Sequence, residues 1–278
     1  MSTKKEVNGI ILILSCQKHK NTRLKEINLS KTSYNNWEVV HVIGDFFLDE
    51  NYKYENNETT YGRNYLYIRC EDSYLHLLKK LALSIKAVYE IFNIKEGVLR
   101  CGDDLYFNEK NMVRLLNSIY LTKYDYYGQS AFSRSYKCVN KNVLKKIKVD
   151  PFMMRYYYSH PEDFSNPQHN LKGITISKYC ARPDLYGAAG VFFFLSNKAC
   201  SIIVEQMEKI NFNILHHDRF TNSYPYVIED CGVSFIMYMN NIEFVDTQDF
   251  IYKNSSYQEN IDDFLNSNTI VMHTNKYK

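Results

Sequence analysis

Two long apolar runs near the N-terminus constrain this chain more than any other feature. "GIILILSC" (residues 9–16) and "WEVVHVIG" (residues 37–44) are almost unbroken in their apolar character. A strand with one wet face alternates apolar and polar residues. A run without alternation is covered on both faces, the pattern of a parallel sheet held between helical layers. A polar, helix-compatible segment beginning near Asn21 separates the two runs. Strand, helix and strand at this spacing read as a βαβ unit.

The pattern continues. After a polar, Asn-rich loop (residues 49–60), "YLYIRC" reads as a third strand. "EDSYLHLLKKLALSIKAVYEIF" then places Tyr74, Leu78, Leu81, Ile85, Val88 and Phe92 on one helical face, with Asp72 as N-cap. It leads into a fourth strand, "GVLRC", and at once into Asp103 and Asp104. Ligands of open α/β sheets bind outside the carboxyl ends of the strands, which puts these two acids where a site belongs. "NEKNMVRLLNSIY" follows as a helix burying Met112, Leu115, Leu116 and Ile119.

Farther on, "YDYYGQS" reads as a strand, residues 150–170 as an irregular aromatic loop, and "DLYGAAGVFFFLS" as a small-residue turn feeding a buried strand. "NKACSIIVEQMEKI" is a helix, and "YPYVIEDCGVSFIMYM" sets Glu229 and Asp230 where a strand yields to a helix. No repeat or linker interrupts the 278 residues, so a single domain spans 1–278, with a nucleotide half near 9–130 and an acceptor half over 131–278.

Composition narrows the function. Lysine and arginine exceed aspartate and glutamate by 34 − 31 = 3, too little to make nucleic acid a partner. Seven cysteines without a close pair fit free thiols, not a disulfide framework or a zinc knuckle. "MSTKKEVNGIILILSCQK" is too short in apolar residues for a membrane span or a signal-peptide core, so the expectation is a cytoplasmic-type protein without a transmembrane anchor. Oligomeric state is not legible.

Adjacent carboxylates repel, and holding both ionised in a cleft requires a cation or hydrogen-bond donors. Magnesium or manganese supplies that compensation, sharing one or two carboxylates with a substrate's phosphates. A sugar nucleotide is such a substrate, because its diphosphate leaves as the anomeric bond breaks. Asp103 and Asp104 therefore either hold a donor's metal or merely cap the next helix. Glu229 and Asp230 either supply a general base for an acceptor hydroxyl or sit as favourable charges at a helix N-terminus. His216 and His217 could form a metal site but, as adjacent side chains that point apart, read first as core or solvent residues; Tyr156, Tyr157 and Tyr158 read as packing or sugar-stacking rings, Lys145 to Lys148 as a solvated face, and Cys101 as strand lining.

Several of these segments, in order, resemble the β-1,3-glycosyltransferase family that includes galactosyltransferases and the Fringe enzymes. The family shows "DSY.NLTLKT" on a helix, an apolar strand ending in three aspartates and "VF", then "Y.SGGGYVLS" and "EDV..G". Here "EDSYLHLLKK", "VLRCGDDLYF", "YGAAGVFFFLSNKA" and "EDCGVSF" stand in the same order, and "TIVMHTN" offers a late histidine, His273. The resemblance implies a GT-A (Rossmann-like) α/β fold with a mixed central sheet flanked by helices. It implies an inverting, metal-dependent transferase that moves a hexose or N-acetylhexosamine from a UDP-sugar to a hydroxyl of a glycan or glycoconjugate.

Carried over by position, the resemblance makes Asp104 the manganese (or magnesium) ligand with His273, and Asp103 a second ligand or a contact to the donor's ribose or sugar. It makes Asp230 the catalytic base beside Glu229, and gives Arg23, Asp72 and Lys80 to the donor pocket. Gly102 replaces the family's first aspartate, His76 and Leu78 replace its Asn and Thr, and its arginine-rich motif after the first strand is reduced to Arg23. The missing anchor and the Asn, Lys, Ile and Tyr bias look like a soluble enzyme from an AT-rich genome, such as a large DNA virus or a bacterium. Two rivals stay open: a degenerate relative that binds glycan or nucleotide without turnover, and a nucleotidyltransferase.

Overall fold

In a computed structural model of the protein, residues 4–57, 62–73, 76–130, 187–209, 229–246, 252–255 and 261–274 are described. The chain runs β1 (Lys5–Leu14), α1 (Gln17–Lys20), α2 (Arg23–Glu26), β2 (Ser33–Tyr34), β3 (Trp37–Gly44), β4 (Tyr52–Glu55) and β5 (Asn64–Ile68). It continues through α3 (Leu77–Ile91), β6 (Phe92–Gly102), β7 (Leu105–Phe107), α4 (Glu109–Leu116), α5 (Tyr120–Lys123) and β8 (Tyr126–Ser130). The later described elements are β9 (Ala188–Ser196), α6 (Asn197–Met207), α7 (Glu229–Met239), β10 (Phe244–Asp246), β11 (Tyr252–Ser255), α8 (Ile261–Asn266) and β12 (Val271–Thr274).

The fold is mixed α/β: a nine-stranded mixed sheet, in the order β10-β8-β9-β6-β1-β3-β5-β4 with β2 beside β3, lies between helices. Strands β5, β3, β1 and β6 are parallel neighbours, and β9 joins antiparallel to β6. Every residue of the apolar runs except Cys16 is buried, and the pleat divides them between two cores. Ile10, Leu12, Leu14, Val40 and Val42 pack with Leu78, Leu81, Ile85 and Val88 of α3 and with residues of α6 and α7. Ile11, Ile13, Val39 and Ile43 pack on the other side with Leu24, Met112, Leu115 and Val271. That two-sided burial is why the runs do not alternate.

A smaller sheet, β11-β12-β7, carries the last described strand onto the segment after β6, pairing His273 with Leu105. Among the described residues no helix is long and apolar enough to cross a membrane.

Several local expectations are corrected. Helix α3 begins at Leu77 with His76 before it, so Asp72 is not its N-cap, and Phe92 opens β6 instead of closing the helix. The Asn-rich loop holds an antiparallel edge strand, β4. The segment near Asn21 forms two four-residue helices, and Ile119 is exposed. Asn108 caps α4 by accepting from the Asn111 N–H at 3.2 Å, which removes the helix-cap explanation of Asp103 and Asp104. Residues 145–148, Tyr156, Tyr157, Tyr158, the loop 150–170, His216 and His217 lie outside the described residues.

Candidate functional site

The strand order reverses between β1 and β6. The chain proceeds outward from β1 to β3 and β5, then returns to lay β6 on the other side of β1. Such a switch point leaves a crevice at the carboxyl ends of the two strands. Asp103 follows β6 there, and Ser15, α1 and α2 after β1 supply partners to both of its carboxylate oxygens. Ser15 Oγ donates to Oδ2 at 2.7 Å, His19 Nδ1 lies 3.0 Å from the same oxygen, and Arg23 Nη1 donates to Oδ1 at 3.2 Å. Burial opposes ionisation of Asp103, but the His19 and Ser15 hydrogen bonds with the Arg23 charge hold its carboxyl below the usual range. His19 is raised to about 9, first by its hydrogen bond to Asp103 and then by Cys16. With both Asp103 oxygens engaged, this residue anchors a cationic loop over the crevice.

Lys80 and Asp72 fix that loop from below. Lys80, 1% exposed, donates to the Ser15 carbonyl at 2.8 Å and to Asp72. Asp72 also accepts from the Gly44 N–H at 3.0 Å and the Gln17 N–H at 2.7 Å. One buried ion pair thus ties together the ends of β1 and β3 and the approach to α3. Burial opposes the Lys80 charge, yet Asp72 raises its pKa above the ordinary lysine range. Both side chains are sealed in, so they act on the site through the backbone they hold.

Asp104 points elsewhere. Its Oδ2 lies 2.8 Å from His273 Nε2, and the two side chains are 30% and 26% exposed. The β7–β12 pairing brings these residues together. Gly102 makes room for this arrangement: a Cβ there would fall 2.9 Å from Asp104 Oδ1 and 3.7 Å from the Val191 carbonyl oxygen. Gly102 is thus the residue over which Asp104 folds.

Glu229 and Asp230 form the first turn of α7 and have separate partners. Glu229, 4% exposed, accepts from Arg100 through both oxygens, the Nε bond being 2.8 Å. Arg100 in turn donates to the carbonyls of Gly190 and Val191. Asp230 Oδ2 accepts from the Gly190 N–H at 3.2 Å, and a Cβ on Gly190 would sit 3.2 Å from Asp230 Cβ. Asp104 is therefore folded over Gly102 beside Val191, and Asp230 is held at Gly190, the preceding residue of β9. The two carboxylates meet the same β6–β9 junction.

Of the residues expected from sequence, Asp103 and Arg23 come together in one cluster, Asp72 and Lys80 lie beneath it, and Asp104 joins His273. Asp230 and Glu229 approach from α7. Sequence reading missed Ser15, His19 and Arg100. The available signals were a polar break after the first apolar run and one arginine inside a buried strand. Cys101 lines the sheet, fully buried, and burial pushes its thiol up. A cleft of about 340 Å³ lined by Lys5, Glu38, Tyr54 and Phe92 lies near the amino ends of β1 and β6, away from these acids.

Asp104 and His273 suit a divalent cation by donor chemistry: one carboxylate oxygen and one imidazole nitrogen already converge. Among the described residues no group of three or more His, Cys, Asp or Glu gathers. Magnesium at nucleotide sites is held by one or two carboxylates with substrate phosphates and water; here Asp104 is the one carboxylate, and His273 adds a nitrogen donor beside it.

No protein-family model matches the chain, and no curated protein matches it in sequence. Among solved structures it is similar to the apo crystal structure of mouse xyloside xylosyltransferase 1, with 8% identity and a TM-score of 0.39 over 99% of this chain and 98% of that one.

Proposed function

We propose that the chain is an inverting glycosyltransferase that moves a hexose or N-acetylhexosamine from a UDP-sugar to a hydroxyl of a glycan or glycoconjugate. The observation that carries this reading is the approach of Asp104 and Asp230, 126 residues apart in sequence (230 − 104), to one β6–β9 junction at the carboxyl end of β6. The motif order shared with the β-1,3-glycosyltransferases supports it.

Asp104 and His273 would hold manganese or magnesium, and a cation there neutralises charge on a departing diphosphate. The segment after β1 supplies cationic groups at the carboxyl end of β6: His19 and Arg23, anchored on Asp103 and each 23% exposed, would meet a nucleoside diphosphate bound there. Asp230 is the base. Its carboxylate takes the proton of the acceptor hydroxyl as that oxygen bonds to the anomeric carbon and the bond to the diphosphate breaks. A single displacement inverts the anomeric centre and needs no covalent sugar–enzyme intermediate. The Gly190 N–H holds one oxygen of Asp230 and so orients the carboxylate. Glu229, with both oxygens on Arg100, takes no proton in this scheme.

Assays of UDP release from UDP-galactose, UDP-N-acetylglucosamine and UDP-glucose with manganese test the reading. Release with sugar transfer, lost in Asp104→Ala, is the expected result. Nucleotide binding without turnover for any donor would favour a binding protein, and pyrophosphate release from a nucleoside triphosphate would favour a nucleotidyltransferase.

A further inference from the structure

We infer that Arg100 is a positioning residue that sets the base-bearing helix against the strand leading to Asp104. This inference rests on the transferase reading for its catalytic consequence and on geometry alone for its structural one. Arg100 is 3% exposed, lies two residues before Gly102, and is paired in register with Phe193 of β9. Its guanidinium makes four hydrogen bonds in two directions. Nε and Nη2 grip the two oxygens of Glu229 at the start of α7, while Nη1 reaches the carbonyls of Gly190 and Val191.

The peptide on one side of Gly190 is thus held by Arg100, and the N–H on its other side holds Asp230. Asp230 is the neighbour of Glu229. One planar cation therefore fixes both the helix turn that carries the base and the strand residue that orients it. A lysine presents its charge at one point and does not reproduce a two-oxygen fork with a third arm. A buried ion pair is a poor source of stability, since apolar pairs of similar volume commonly replace it without loss. The four hydrogen bonds of Arg100 to two elements at this junction fit alignment better than stabilisation.

The test is the paired substitution Arg100→Met with Glu229→Met, which keeps volume and leaves no buried charge alone. The expected result is a melting temperature close to the parent's, a donor KM within about threefold, and kcat lower by at least about thirtyfold. The Gly190 amide should exchange with solvent deuterium at least about tenfold faster. A folded double variant with the parent's kcat and Gly190 exchange would overturn the inference. Arg100→Lys, which keeps a buried cation, provides a second route if the paired variant does not fold: slower turnover at unchanged KM with faster Gly190 exchange supports positioning, and parental values of both refute it. If the parent turns over no donor, the transferase reading fails, while the exchange measurement still decides whether Arg100 holds the junction.

Discussion

Asp103 and Asp104 are neighbours with opposite fates, and the difference lies in their surroundings. Asp103 turns toward β1 and meets Ser15, His19 and Arg23, whereas Asp104 turns toward β12 and meets His273. A pair of like charges at a strand end is tolerated because each carboxylate finds its own donors. The same logic separates Glu229, taken by Arg100, from Asp230, whose Oδ2 accepts from the Gly190 N–H. Asp230→Asn should therefore lower kcat by roughly 100- to 10,000-fold while leaving UDP affinity within about threefold, as steady-state kinetics with UDP titration would show. Lys80→Met leaves Asp72 buried without its cation and should destabilise the protein by about 3–5 kcal/mol in urea unfolding.

His41 contributes to stability independently of function. It is 3% exposed in β3, with Nδ1 3.2 Å from the Asn64 carbonyl and Nε2 3.3 Å from Arg63 Nη1. That arrangement needs a neutral ring, donating at Nδ1 and accepting at Nε2. Burial and then the Arg63 charge push its pKa down to about 3 from 6.5. Below 6.5 the unfolded chain takes up a proton that the folded chain refuses. The contribution of His41 is complete above 6.5 and is lost as pH falls toward 3, by up to roughly 1.4 kcal/mol per pH unit. Urea melts of the parent and His41→Gln across this range should show a shallower acid slope in the variant. An unchanged slope would count against a buried neutral imidazole.

At the scale of elements, the strands were the most legible parts. β1, β3 and β9 are runs without alternation because helices or the second sheet cover both their faces. The stripe of α3 was legible from Leu78, Leu81, Ile85 and Val88, all buried, but its start was not. Asp72 has the chemistry of an N-cap, yet its oxygens go to Gly44, Gln17 and Lys80. Capping propensity is local, and a tertiary ion pair overrode it. β4 was hidden because a polar edge strand resembles a loop in composition. Leu81→Ala, at the fully buried centre of that stripe, should cost about 2–5 kcal/mol by chemical denaturation. Asn108→Ala, which removes the cap of α4, should cost about 1 kcal/mol.

Across the whole molecule, the site depends on contacts that no local pattern carries. Asp104 and His273 are 169 residues apart, and Arg100 and Glu229 are 129 apart. The first pair was anticipated only by motif order, and the second was missed because an arginine in an apolar strand does not announce its partner. The strand-order reversal at β1 and β6 gathers these distant segments at one sheet end and so turns scattered acids into a candidate site. Removal of divalent metal with excess EDTA should abolish transfer, and manganese should restore it. The central claim is tested most directly by titrating manganese against the chain with and without UDP, following free manganese by electron paramagnetic resonance. Asp104→Ala should weaken UDP-dependent manganese binding by at least about tenfold while Asp230→Asn leaves it intact; equal manganese binding by the parent and Asp104→Ala in the presence of UDP would contradict the account.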